Sequence, residues 1–133
     1  EKGPYTARAG QLVHIKTDFY FLLKNTDNIG NLLQELHPTP AVCGLPKEDA
    51  FRFILENEGY DRSYYSGFIG WLDTEGHTDL YVNLRCMEIK PGETTLYAGG
   101  GILASSEIES EWTETGDKMN TMKSILYPEF INR

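Results

Sequence analysis

Glu107, Glu111, Glu114 and Lys118 recur at helical spacing near the end of the chain. Residues three and four apart share a helix face. The Glu111 and Glu114 carboxylates can therefore converge on a hard cation such as Mg²⁺, which takes oxygen ligands. Lys118 lies one turn past Glu114, placed to bind a substrate carboxylate or to neutralise excess charge. A solvated acidic face with an ordinary Glu–Lys pair is the plainer alternative, and spacing alone favours it. A second signal is Tyr97-Ala98-Gly99-Gly100-Gly101-Ile102. Consecutive glycines are costly inside a strand unless something must approach the backbone closely. Their bare N–H groups can receive an anion, although a bulge or turn explains them as well. Arg85 is suited to a bidentate carboxylate clamp, but an exposed strand arginine is common. His14, His37 and Tyr65 are polar groups beside apolar sequence, each compatible with a purely structural role. No Ser-His-Asp or Cys-His pattern, P-loop, zinc-ligand spacing or dinucleotide fingerprint stands out.

Several elements must position these residues. Gln11 to Phe19 alternates with period two, the pattern of a strand. Ile29, Leu32, Leu33 and Leu36 have helical spacing, and Pro38 and Pro40 end that helix. A second helix is predicted from Pro46 to Asn57, with Pro46 in its first turn, Ala50, Phe51, Ile54 and Leu55 as its apolar stripe, and Gly59 as the stop. Three strand-like runs follow: Tyr65 to Leu72, Asp79 to Ile89 and Thr94 to Ala104. Turn-rich connectors between them suggest an antiparallel meander. The last helix is predicted from about Ser106 to Leu126, capped by Ser105 or Ser106. Ile108, Trp112, Met119, Met122 and Leu126 form its apolar face, with the Glu107, Glu111, Glu114 and Lys118 face adjoining. The expected class is α+β, an antiparallel β-sheet flanked by helices.

Composition narrows the partners. The chain has 133 residues, 40% hydrophobic and 24% charged, which is globular composition within the range of one domain or part of one. Twelve Lys+Arg against twenty Asp+Glu give a net charge of -8. Such a chain repels phosphate backbones and carries no polybasic patch, so nucleic acid and anionic membranes are not expected partners. The two cysteines, Cys43 and Cys86, make no disulfide framework. Buried thiols in a reducing compartment, the cytoplasm, fit them better. No apolar run approaches a membrane span, and the first residues do not form a signal peptide.

Taken together, the motifs resemble those of the chorismate-utilising enzymes, which include isochorismate, salicylate, anthranilate and aminodeoxychorismate synthases. The resemblance runs from about His14 to Met122. It rests on Leu36-His37-Pro38-Thr39-Pro40-Ala41-Val42, Tyr64-Tyr65-Ser66-Gly67-Phe68-Ile69-Gly70-Trp71, Leu84-Arg85-Cys86, Tyr97-Ala98-Gly99-Gly100-Gly101-Ile102, and Glu111-Trp112-Thr113-Glu114-Thr115 with Lys118, all in order. Each is weak alone; together in register they outweigh the plainer readings. His-Pro-Thr-Pro-Ala-Val and Gly-Trp-x-Asp resemble the isochorismate synthase branch, and Ala41 stands where amine-adding and lyase branches often carry Thr. The departures are Cys43 in place of a small Gly or Ser, Ile108 in place of Pro, and Gly100 in place of Ala.

By position, the resemblance implies that Glu114 binds Mg²⁺ and Glu111 acts on the metal or through its water. It implies that Lys118 and the Gly99, Gly100 and Gly101 backbone grip a substrate carboxylate. Arg85 and Tyr65 hold the enolpyruvyl carboxylate, and His14 faces the substrate ring as an active-site residue. The implied reaction is the Mg²⁺-dependent isomerisation of chorismate to isochorismate, a precursor of menaquinone or siderophores. The family's general base, general acid and remaining metal ligand lie in segments before Glu1. Residues 1–133 are therefore expected to be the C-terminal portion of the larger chorismate-binding, anthranilate synthase component I-like fold. The upstream part of the enzyme is then a partner, and the portion alone is expected to be inactive and to self-associate. Salicylate synthase, or a non-catalytic fragment that keeps only the fold, are the alternatives.

Overall fold

The computed structural model describes residues 1–9, 12–23, 28–73 and 75–127. The chain divides into two compact units, Glu1–Leu32 and Leu33–Arg133. The first is built on β1 (Lys2–Ala9) and β2 (Leu12–Asp18), which pair antiparallel. Alternation in the sequence identifies β2; β1, with Gly3 and Pro4 breaking its pattern, had no such signal, and its ladder shifts register between Lys2 and Tyr5. The ribbon is tied on one side by Asp18, which accepts a hydrogen bond from the Tyr5 hydroxyl at 2.5 Å and pairs with Lys16 at 2.8 Å. The hydrogen bond to Asp18 is the main reason the Tyr5 phenol is pushed up.

Helix α1 (Ile29–Leu36) has the predicted bounds, with Ile29, Leu32 and Leu33 half-buried. Helix α2 (Lys47–Asn57) begins one residue past Pro46, which serves as its N-cap and accepts from the Ala50 amide at 3.0 Å. Gly59 follows the Glu58 C-cap at φ 74, the left-handed geometry expected of a helix stop. Of the predicted stripe, Ala50 and Ile54 turn inward while Phe51 and Leu55 remain exposed.

The strand region departs from a continuous meander. It forms two separate antiparallel hairpins: β3 (Phe68–Trp71) with β4 (Asp79–Val82), and β5 (Cys86–Lys90) with β6 (Glu93–Tyr97). The predicted run Asp79 to Ile89 is broken because Asn83 turns aside. Its amide donates to the Gly67 carbonyl at 2.7 Å and its side-chain amide to the Tyr64 carbonyl at 2.9 Å. Arg85 then adopts φ 48, a left-handed conformation no strand accommodates. Arg85 thus lies on a bend and not on a strand.

Helix α3 (Ile108–Leu126) starts two residues later than predicted, with Glu107 as N-cap and no side-chain cap. Ser106 is drawn elsewhere: it accepts from the Leu103 amide at 3.0 Å and donates to Glu111 at 2.5 Å. The class is α+β, with three helices and small antiparallel sheets among the described residues. Among the described residues, no helix is long and apolar enough to cross a membrane.

Candidate functional site

β6 ends at Tyr97, so Gly99, Gly100 and Gly101 leave the sheet as extended, non-strand backbone. The expected strand to Ala104 is therefore too long. Helix α3 packs against β6 and presents Glu111, Thr115 and Lys118, all half-buried, while Ile108 and Trp112 are 84% and 76% exposed. The first turns of the helix thus bring a polar stripe inward and leave Ile108 and Trp112 outside, while Met119, Met122 and Leu126 of the predicted apolar stripe are half-buried as expected.

The polar stripe meets the glycines. The Lys118 ammonium donates to the Gly99 carbonyl at 3.3 Å and pairs with Glu114 one turn earlier at 2.5 Å. The Lys118 hydrogen bond holds the Glu114 carboxyl below its usual range. A Cβ placed on Gly100 would lie 3.1 Å from Glu111 Oε2, and one on Gly99 would lie 2.7 Å from the Tyr65 hydroxyl. Both glycines are therefore places of close approach, whereas a Cβ on Gly101 would meet open space. Gly100, Ile102, Ile108, Glu111, Trp112 and Thr115 line a shallow hollow of about 270 Å³.

Tyr65 is 8% exposed and stacks on Tyr97, ring centroids 5.5 Å apart. Burial pushes its phenol up, so the hydroxyl stays a donor across the neutral range. Arg85 directly precedes Cys86, whose partner across the hairpin is Tyr97. Its backbone thus sits at the hairpin end from which the glycines depart. Among the described residues, its guanidinium has no hydrogen bond or ion pair, and left-handed backbone is a strained place for a bulky side chain. Tyr65, Gly99, Gly100, Glu111, Glu114 and Lys118 are thus linked by direct contacts, with Arg85 beside them in the chain path. His14 lies exposed on β2, in the other unit.

The donor set suits a hard cation. Glu111 and Glu114 offer carboxylate oxygens from adjacent turns, and Mg²⁺ binds through one or two carboxylates with water and substrate completing its shell. Among the described residues, no cluster of three or more His, Cys, Asp or Glu side chains converges, so Glu111 and Glu114 could supply only part of a coordination shell. Neighbouring cation, carboxylates and bare backbone can hold an anionic ligand while a metal neutralises its charge.

Two residues escaped the sequence reading. Ser106 orients Glu111, whereas its sequence context marks it only as a helix cap. Arg62 is bonded to Glu58, Val42 and Ser66 and lies over the Tyr65 ring, 5.6 Å from its centroid. The Asp61-Arg62 pair after Gly59 reads as a polar turn, and nothing in its spacing signals those partners. A larger hollow of about 860 Å³ runs past His37, Cys43, Ile54, Tyr60 and Arg62. Its one strong cation is consumed by Glu58, so it offers an anion less than the glycine site does.

The sequence and fold have known relatives. The chain is 40% identical over 123 residues to the salicylate biosynthesis isochorismate synthase of Pseudomonas aeruginosa, covering 92% of this chain and 26% of that protein. It is 38% identical over 115 residues to isochorismate synthase EntC of Escherichia coli, covering 86% and 29%. A Bacillus anthracis crystal structure described as DhbC, a 2,3-dihydroxybenzoate-specific isochorismate synthase, superposes with a TM-score of 0.77 at 36% identity, covering 92% of this chain and 33% of the other. The chain thus spans between a quarter and a third of the length of these relatives. The pattern of the chorismate binding enzymes matches residues 1–127, and the chain belongs to that family.

Proposed function

We propose that this chain supplies the acid-gripping side and part of the metal ligation of an isochorismate synthase, which isomerises chorismate to isochorismate. One observation carries the reading: Lys118 reaches both Glu114 and the Gly99 carbonyl, drawing a cation, a metal-type carboxylate and bare backbone to one place. The names of the relatives supply the reaction.

Glu111 and Glu114 would hold Mg²⁺, which when bound offsets the charge of the substrate's ring carboxylate. Lys118 and the amides around Gly99 and Gly100 hold that carboxylate's other oxygen edge. The Tyr65 hydroxyl donates to the enolpyruvyl carboxylate, and Arg85, with no competing partner among the described residues, clamps it. Ser106 fixes the rotamer of Glu111 by its hydrogen bond. These residues position and neutralise a dianion; proton transfer to and from water falls to upstream residues that this chain does not carry.

The test is product analysis with chorismate and Mg²⁺, first on the chain alone and then with the upstream part of the enzyme joined to it. Isochorismate from the joined protein only is the expected result. Isochorismate from the chain alone would refute a divided site, and released pyruvate would identify a salicylate synthase instead.

A further inference from the structure

We infer that Arg62, gripped by Glu58, is a positioning residue that sets Tyr65 against the glycine segment. The inference rests on the substrate-binding reading of Tyr65. Arg62 donates from Nε to Glu58 Oε2 at 2.6 Å and from Nη2 to Glu58 Oε1 at 3.0 Å, a bidentate fork. Its Nη1 donates to the Val42 carbonyl at 2.7 Å and to Ser66 Oγ at 3.4 Å. The guanidinium lies 5.6 Å from the Tyr65 ring centroid, within cation–π range. One side chain thus ties together the end of α2, the turn after Pro40 and the turn carrying Tyr65.

The alternative, that Arg62 itself binds an anion, fails on its donors. Each of its nitrogens already faces a protein acceptor, and the Glu58 pair is only 22% and 23% exposed. Glu58 is in turn held by the Tyr60 hydroxyl at 3.0 Å. Tyr65, by contrast, makes no side-chain hydrogen bond among the described residues. Its ring is held by Arg62 and by Tyr97, and its hydroxyl is free to meet a ligand beside Gly99. A planar guanidinium fixed in a fork presents a rigid cationic face to a ring; an ammonium in its place does not.

The experiment uses the protein with its upstream part present, labelled with ring-¹³C tyrosine, the Tyr65 signal assigned by Tyr65→Phe. Arg62→Lys and Glu58→Gln are each expected to shift and broaden that signal. Loss of the fork is expected to raise KM for chorismate about tenfold, with kcat held within about twofold as for lost uniform binding. Arg52→Lys, on the exposed Asp49–Arg52 pair, serves as the control and moves neither. A Tyr65 signal unmoved in both variants overturns the inference, whatever KM does. A moved signal with unchanged KM, together with an unchanged KM in Tyr65→Phe, upholds the positioning and refutes the substrate role of Tyr65.

Discussion

Gly99 and Gly101 have the same residue type two positions apart but different surroundings. A methyl at Gly99 would lie 2.7 Å from the hydroxyl of Tyr65, a buried ring that cannot swing away, while one at Gly101 meets nothing within 4 Å. Gly99→Ala is therefore expected to weaken chorismate binding at least about tenfold, the scale of one lost charge-assisted hydrogen bond. Gly101→Ala should leave it within about twofold, because nothing there must move. Calorimetric titration of the two variants distinguishes close approach from a general need for flexible backbone. Glu114 gives a second residue-scale expectation. Its carboxyl is held low by the Lys118 hydrogen bond. The linked stabilisation is present above the ordinary carboxylate range and is lost as pH falls through the lowered midpoint. Lys118→Met should return the Glu114 midpoint toward 4.5, read from its carboxyl ¹³C shift. A midpoint that stays low would mean that Lys118 is not the cause. The motif spelling made these residues visible. It did not reveal which glycines are crowded, because that depends on where Tyr65 and Glu111 reach.

At the scale of elements, the turn after α2 is a small electrostatic machine. Burial, then the hydrogen bond to Glu58, pushes the Tyr60 phenol up to about 12. The unfolded chain ionises this tyrosine near 10, so its linked stabilisation is whole below that pH and is lost as pH rises toward 12. Urea unfolding across that window should show falling stability, and Tyr60→Phe should flatten part of the slope. Tyr60 is half exposed as a whole, so the shift rests on its hydroxyl end and the Glu58 contact, and an unchanged slope would contradict that local desolvation. Much of the element plan was legible in sequence. Helix α1 has the bounds its leucine spacing dictates, and Gly59 stops α2 in the left-handed geometry expected of it. The meander was not legible. Asp79 to Ile89 reads as one strand because Val82, Leu84 and Cys86 alternate, but Asn83 bonds back to Tyr64 and Gly67 and the ladder ends there. Helix α3 misled in another way. Its apolar periodicity points Ile108, Trp112, Met119, Met122 and Leu126 inward; the last three are half-buried, but in the first turns Ile108 and Trp112 stay outside and Glu111, Thr115 and Lys118 turn inward. A polar face turned to its neighbours is what a site requires, and periodicity weighs only burial.

At the scale of the molecule, among the described residues only Tyr65 and Ser66 are buried, and Ile15, Ile108 and Trp112 stand 80%, 84% and 76% exposed. Each large apolar side chain left in water forgoes about 1.5–3 kcal/mol of burial. Apolar surface on that scale seeks a partner, through sheet edges or helix faces. Gel filtration of the chain alone is expected to show self-association, relieved when the upstream part is supplied; a well-behaved monomer would contradict this. On the proposed reading, the exposed apolar surface and the partial coverage of the relatives have one cause: the acid-binding half of a site lies in this chain and the rest outside it. The most direct test of that claim is calorimetric titration of chorismate, with Mg²⁺ present, into the chain joined to its upstream part and into its Glu114→Ala and Lys118→Met variants. The account predicts binding of about micromolar affinity that both substitutions weaken at least about tenfold. Unchanged affinity in both would contradict it.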